Sequence, residues 1–209
     1  LFITIEGIEG GGKTTQVGLL AAALERVKVA VRVTREPGGT KFGEEVRALL
    51  LHSSAAMSTL AELFLLLADR AEHVESLIRP ALDAGEVVLC DRFADSTLAY
   101  QAYGRELSLA AVRTAESFAR RGLLPDLTFV LDCPIEIGLA RTRERRGHMA
   151  ADRFESEGAS FHERVRQGFL ALAREDPGRI RVIDSSRPAD EVHREIFTVS
   201  AGRLGVRTS

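Results

Sequence analysis

Gly7-Ile8-Glu9-Gly10-Gly11-Gly12-Lys13-Thr14 decides the fold. The stretch fits G-x-x-x-x-G-K-[ST], a loop whose backbone N–H groups cradle phosphate oxygens. Before it runs Leu1-Phe2-Ile3-Thr4-Ile5, apolar and β-branched, which reads as a buried strand. After it, Lys13 to Val27 reads as a helix with Leu19, Leu20, Ala23 and Leu24 on one face. The glycines let the backbone approach an anion without a Cβ clash, and the helix points its positive end at that anion. Lys13 adds a point charge on the β- and γ-phosphates, and the Thr14 hydroxyl can ligate Mg²⁺. The phosphate-binding residues expected are Gly7, Ile8, Glu9, Gly10, Gly11, Gly12, Lys13, Thr14 and Thr15. Thr15 stands where a dinucleotide G-x-G-x-x-G loop needs its third glycine, which weakens that reading.

Outward from the loop, further strands are predicted at Val29–Val33, Val87–Cys90, Leu127–Leu131 and Ile180–Ile183. Helices are predicted at Phe42–Leu51, Leu60–Leu82, Leu109–Arg121, Ile135–Arg145, Phe161–Arg174 and Ala189–Leu204. Short strands alternating with helices predict an α/β protein. The expected form is a P-loop NTPase-type three-layer fold, a five-stranded parallel sheet flanked by helices on both faces. Such sheets bind ligands at the carboxyl ends of their strands. The 209 residues predict a single domain, 1–209, with a lid segment at about 141–158 bracketed by Gly147 and Gly158.

The composition excludes several function classes. With 30 acidic and 28 basic residues the net charge is -2, against a non-specific nucleic-acid binder. No apolar run is longer than that from Leu63 to Ala68, six residues, far short of a membrane span. Cys90 and Cys133 cannot build a disulfide framework or a four-ligand zinc site. Both end apolar runs and read as buried free thiols, suiting a reducing cytoplasm. The first residues read as a strand, not as a signal peptide. The histidines show no metal-ligand spacing, and His162-Glu163 reads as surface helix. No Asn/Thr-Lys-x-Asp element of a GTPase occurs, so the reading narrows to a kinase of a small molecule.

Three more segments narrow it further. They are Thr34-Arg35-Glu36-Pro37-Gly38-Gly39-Thr40, the run from Asp91-Arg92-Phe93 through Asp95-Ser96-Thr97 to Tyr100-Gln101, and Asp152-Arg153-Phe154-Glu155. With the loop, and in this order nearly end to end, they resemble the bacterial type of thymidylate kinase. The resemblance implies transfer of the γ-phosphoryl group of ATP to dTMP, with Mg²⁺, in a cytoplasmic homodimer. It implies no nucleic-acid or membrane partner.

By resemblance, Arg47 and Arg92 grip the dTMP phosphate, and Asp91 sits near the metal and phosphates. Glu9 accepts a hydrogen bond from the deoxyribose 3′-OH, and Tyr100 packs beneath the sugar. Arg70 donates to thymine O4, Thr97 and Gln101 face the base, and Pro37 belongs to the phosphate-side loop behind a cis Glu36–Pro37 bond. The family places its catalytic arginine in the loop or in a lid. Gly7 to Gly12 hold no arginine, so the lid must supply it: Arg153 first, with Arg143 and Arg146 as alternatives. Arg141 and Arg145 are left as a solvated face or an adenine-stacking ridge. The catalytic set expected is thus Lys13, Arg153, Arg92, Glu9 and Asp91.

A deoxynucleoside kinase, acting on a 5′-hydroxyl, would need a carboxylate base and no arginine pair for a monophosphate. A P-loop switch would bind nucleotide without monophosphate-dependent turnover. One departure from the family pattern stands out. Leu66 occupies the place of a base-stacking phenylalanine, while Phe64 is about 240° away from Arg70 around the helix. Leu63 to Leu67 are apolar in unbroken succession, so a second apolar surface needs a cover, expected to be a two-fold partner.

Overall fold

The computed structural model describes residues 1–53, 55–147 and 150–206, so residues 148 and 149 of the expected lid lie outside the described ones. The strands are β1 (Phe2–Glu6), β2 (Val31–Arg35), β3 (Val87–Asp91), β4 (Leu127–Asp132) and β5 (Ile180–Asp184). They form one parallel sheet in the order β2-β3-β1-β4-β5. The helices are α1 (Lys13–Arg26), α2 (Lys41–His52), α3 (Thr59–His73), α4 (Arg79–Asp83) and α5 (Ala94–Thr97). They continue with α6 (Leu109–Ala119), α7 (Ile135–Arg146), α8 (Ala159–Glu175) and α9 (Ala189–Leu204).

β1 lies at the centre, with Phe2 opposite Val88 on one side and Ile3 opposite Leu127 on the other. A central parallel strand is covered on both faces, which is why Phe2, Ile3 and Ile5 point to both sides of it and why even Thr4 and Glu6 are buried. Ile3 and Ile5 join Val17, Leu20 and Leu24 of α1 and Ile196 of α9. Phe2 turns the other way, to Val74, Ile78 and Phe93. Thr40 caps α2, its hydroxyl accepting the Gly43 N–H at 2.9 Å, and Ser58 caps α3 through Ala61 at 3.2 Å. Cys90 and Cys133 are buried free thiols. No described helix is long and apolar enough to cross a membrane.

Three differences from the sequence reading have physical causes. The helix expected over Leu60–Leu82 is interrupted by a π turn, Val74–Ile78. Pro80 lacks an N–H and its ring clashes with the carbonyl four residues back, so the chain widens there and the Arg79 N–H reaches the Val74 carbonyl. After β3, where no helix was predicted, α5 runs into a second π segment, Leu98–Gly104. β2 begins two residues later than expected because its ladder partner, Val87 to Asp91, sets its register from Val31.

Candidate active site

The loop after β1 is shaped by contacts that only glycine allows. Gly10 has φ 71°, and a Cβ there would lie 2.0 Å from the Gly138 carbonyl oxygen. Gly7 has φ 132°, and its Cβ would meet the Leu131 carbonyl oxygen at 2.5 Å. The Lys13 ammonium folds over the loop and donates to the carbonyls of Ile8 (2.7 Å) and Gly7 (3.2 Å). Burial, then the charge of Arg92, lowers its pKa to about 8. The Thr14 hydroxyl donates to Asp91 Oδ2 at 2.7 Å, joining the first turn of α1 to the end of β3.

Arg92, just past β3, is held at φ 72°, a left-handed conformation that a non-glycine residue adopts at a cost of about 1–3 kcal/mol and that recurs at functional sites. Its Nη1 donates to the Gly7 carbonyl (2.9 Å) and its Nη2 to Glu9 Oε1 (3.0 Å) and Tyr100 Oη (3.0 Å). The guanidinium lies 4.9 Å from the Tyr100 ring centre. The Tyr100 hydroxyl donates to Glu9 Oε1 at 2.6 Å. Burial pushes the Glu9 pKa up, but Arg92, His162, Lys13 and Tyr100 together hold it well below the usual carboxylate range. Glu9 Oε1 is thus saturated, whereas Oε2 has no hydrogen-bond partner among the described residues.

The base side is built around Arg70, only 2% exposed on α3. Its Nε and Nη2 donate to Glu36 Oε2 (2.8 and 2.6 Å), and its Nη1 donates to Thr97 Oγ1 (2.6 Å) and Glu116 Oε1 (2.9 Å). A guanidinium has five N–H donors, so among the described residues one on Nη2 has no partner. His73 completes the buried cluster, with Nδ1 at 2.8 Å from Glu36 Oε1 and Nε2 at 2.6 Å from Thr34 Oγ1. The Glu36–Pro37 bond is cis, as expected. The Arg47 Nη1 donates to the Pro37 carbonyl at 2.8 Å.

Two adjoining spaces result. A cavity of about 110 Å³ is lined by Pro37, Leu66, Arg70, Thr97, Tyr100 and Gln101, among others. A cleft of about 910 Å³ is floored by Gly10, Gly12, Lys13, Thr14 and Thr15 and reaches Asp91. Gly7, Ile8 and Gly11 of the loop do not line it. Glu9, Arg47 and Arg92 line both spaces. Leu66 faces the small cavity, while Phe64 is 57% exposed on the other side of α3.

Two residues lie elsewhere than the sequence reading put them. Arg153 faces neither space. Asp152 Oδ1 accepts the N–H groups of Phe154 and Glu155, both at 2.8 Å, and the turn this makes carries Arg153 outward. There its Nε donates to Leu50 O (3.2 Å) and its Nη2 to Ala55 O (3.1 Å). Leu50 lies in the last turn of α2, where unsatisfied carbonyls attract a cation. The arginine of this segment that lines the phosphate cleft is Arg145, bonded to Glu155 Oε1 at 3.3 Å. Second, His162 is not on the surface but 1% exposed, its Nδ1 3.4 Å from Glu9 Oε2. The signal was present: His162, Val165 and Phe169 share one helical face, and the last two are core residues. Glu36, named in the sequence reading only for its bond to Pro37, and Glu62 and Glu116, absent from it, are buried acids, each with a partner far along the chain.

A sequence profile described as thymidylate kinase matches residues 5–196. The thymidylate kinase of Desulfovibrio desulfuricans is 51% identical over 197 residues, covering 92% of this chain and 91% of that one. That of Synechococcus sp. (strain JA-2-3B'a(2-13)) is 51% identical over 209 residues, covering 100% and 98%. The crystal structure of thymidylate kinase from Ehrlichia chaffeensis superimposes with a TM-score of 0.77 at 35% identity, covering 96% of this chain and 98% of that one.

Proposed function

The chain belongs to the thymidylate kinase family, and on that premise we propose how its residues divide the work of phosphoryl transfer. It is a kinase that uses ATP to phosphorylate dTMP to dTDP, a step of nucleotide biosynthesis. We read the small cavity as the dTMP site and the large cleft as the seat of the ATP phosphates. The observation that carries this reading is their shared wall, where Arg47 and Arg92 stand among Glu9, Glu36, Leu51 and Asp152 and an acceptor phosphate in one space would meet a γ-phosphate in the other.

A monophosphate brings its own nucleophile, an oxygen whose second pKa is near 6, so no general base is required. Catalysis then consists of alignment and charge stabilisation. Arg92 and Arg47 are the groups for the dTMP phosphate, and guanidinium forks suit a dianion. Lys13 serves the β- and γ-phosphates. Thr14 Oγ1 and Asp91 Oδ2, oxygens 2.7 Å apart, fit Mg²⁺, which takes few protein ligands and keeps its waters. When bound, Mg²⁺ would neutralise charge on the phosphate oxygens. The Oε2 of Glu9, with His162 Nδ1 3.4 Å away but no hydrogen-bond partner among the described residues, suits the 3′-OH, the Tyr100 ring the sugar, Leu66 the base plane and the remaining Nη2 hydrogen of Arg70 the O4 oxygen.

For the lid we assign the catalytic role to Arg145 in place of Arg153, because Arg145 lines the cleft. We also propose a cytoplasmic homodimer and a single domain whose lid, at about 141–158, covers ATP. The exposed Phe42, Leu49, Leu60, Phe64 and Phe118 on α2, α3 and α6 supply the apolar face a partner would cover. The function is tested by ADP release with ATP and Mg²⁺ over dTMP, dUMP, dCMP, dGMP, AMP and thymidine. Turnover that depends on dTMP is expected. Turnover with thymidine and none with dTMP would refute the reading.

A further inference from the structure

Gln101 is fully buried on the π segment and lines the small cavity, and its amide has two chemically different ends. The Nε2 end donates to Glu62 Oε1 at 3.1 Å. The Oε1 end has no hydrogen-bond partner among the described residues. Glu62 is itself buried on α3, and Arg105 forks onto it, Nε to Oε1 and Nη2 to Oε2, both at 3.0 Å. A carboxyl group gripped this way has only lone pairs to offer Gln101. Gln101 must therefore turn its NH₂ toward Glu62, and its carbonyl oxygen is left for the cavity. This follows from the chemistry of the pair and not from which amide atom is drawn where.

We propose that Glu62 is a positioning residue for base selection, which fixes the Gln101 amide so that it offers the base an acceptor. The inference rests on the small cavity being the dTMP site. There Gln101 would accept from the N3–H of thymine while Arg70 donates to O4. Cytosine reverses both groups, with a lone pair at N3 and an amino group at C4, so each would meet its like. Arg105 extends the device: its Nη1 also bonds Glu157, near the end of the lid segment, and its guanidinium lies 4.8 Å from the Phe161 ring centre. The base reader and the lid are thus tied to one buried carboxylate.

In Glu62→Leu, the Gln101 amide loses its acceptor and is free to turn its NH₂ into the cavity. In Glu62→Gln, an amide oxygen at the place of Oε1 still accepts from both Gln101 and Arg105 Nε, so the amide stays fixed. kcat and KM for dTMP and dCMP are measured by ADP release, with melting temperatures in parallel, for wild type, Glu62→Leu, Glu62→Gln, Gln101→Met and the double variant Glu62→Leu/Gln101→Met. The expected result for Glu62→Leu is a dTMP:dCMP ratio of kcat/KM narrowed by about tenfold or more, carried by KM, with kcat for dTMP little changed, and for Glu62→Gln a ratio near that of wild type. In the Gln101→Met background, Glu62→Leu should leave the ratio alone. Should Glu62→Leu be recovered unfolded, Glu62→Asp keeps a charge for Arg105 while drawing back from Gln101, and the same ratio is read. An unchanged ratio in folded Glu62→Leu or, in its place, Glu62→Asp, or the same change with and without Gln101, overturns the role of Glu62 alone. A wild type with no preference for dTMP over dCMP overturns the dTMP reading of the cavity as well.

Discussion

Replacing Arg70 by methionine keeps much of the side-chain bulk and removes the charge between two buried acids. Glu36 and Glu116 lie at 2.6 and 2.9 Å from its guanidinium, and all three are at most 3% exposed. Removing one partner of a buried ion pair costs about 3–5 kcal/mol. The cost is not doubled here, because Glu36 keeps His73 at 2.8 Å and Glu116 keeps Arg120 at 2.8 Å. At roughly 2–4 °C per kcal/mol for a chain of this size, the melting temperature should fall by about 6–20 °C. The pH dependence gives a second check. Burial pushes the Glu36 pKa up, but Arg70 and His73 pull it below its usual 4.5. A depressed carboxylate stabilises above its unfolded pKa, and this is lost as pH falls through the folded value. Without Arg70, burial wins and the Glu36 pKa rises, so its contribution is present in acid and lost as pH climbs. The gap in melting temperature between wild type and Arg70→Met should therefore be widest near neutrality and shrink toward pH 4. Thermal unfolding followed by circular dichroism, without nucleotide, measures it. A loss under about 2 °C, or a gap that widens in acid, would refute the reasoning.

Other variants test other parts of the account. Leu66→Phe should tighten dTMP binding by about 2- to 12-fold, the worth of an aromatic stack beyond area burial, while Phe64→Leu leaves affinity unchanged; calorimetric titration that gave the reverse would move the base platform. Arg145→Ala should lower kcat on the order of 10³-fold with little effect on the dTMP KM, and Arg153→Ala should not; single-turnover kinetics showing the opposite pattern would return the role to Arg153. Asp69, with Oδ2 unpaired, is raised to a pKa of about 7 by burial and then by Glu36, so its stabilising contribution is lost as pH rises through 7. Asp69→Asn should gain stability on wild type at pH 8 and not at pH 5, and urea unfolding at the two pH values would expose an equal effect at both.

The parts legible in the sequence were those set by local chemistry. The phosphate loop follows from its glycines, and β1 from its apolar run. The last helix was placed at Ala189–Leu204, where it is found. The parts that were not legible depend on partners distant in the chain. α5 and the π segment after it have no 3.6-residue rhythm to read, because residues 94 to 102, Tyr100 and Gln101 included, are buried all round. Arg70 could be singled out by resemblance, but Glu36 and Glu116, 34 and 46 residues away, are joined to it only by folding. Arg153 looked apt because its motif did, while the Asp152 turn that aims it at α2 is a matter of side-chain geometry.

The assignment of the small cavity to dTMP and of its shared wall to the two phosphates is tested most directly by diffraction from crystals grown with dTMP, Mg²⁺ and a non-hydrolysable ATP analogue. The account predicts the dTMP phosphate against Arg92 and Arg47, thymine over Leu66 with O4 toward Arg70 and N3 toward Gln101 Oε1, and the γ-phosphate across the wall by Lys13. Thymine found outside the cavity lined by Leu66, Arg70 and Gln101, or a dTMP phosphate away from Arg92, would contradict it.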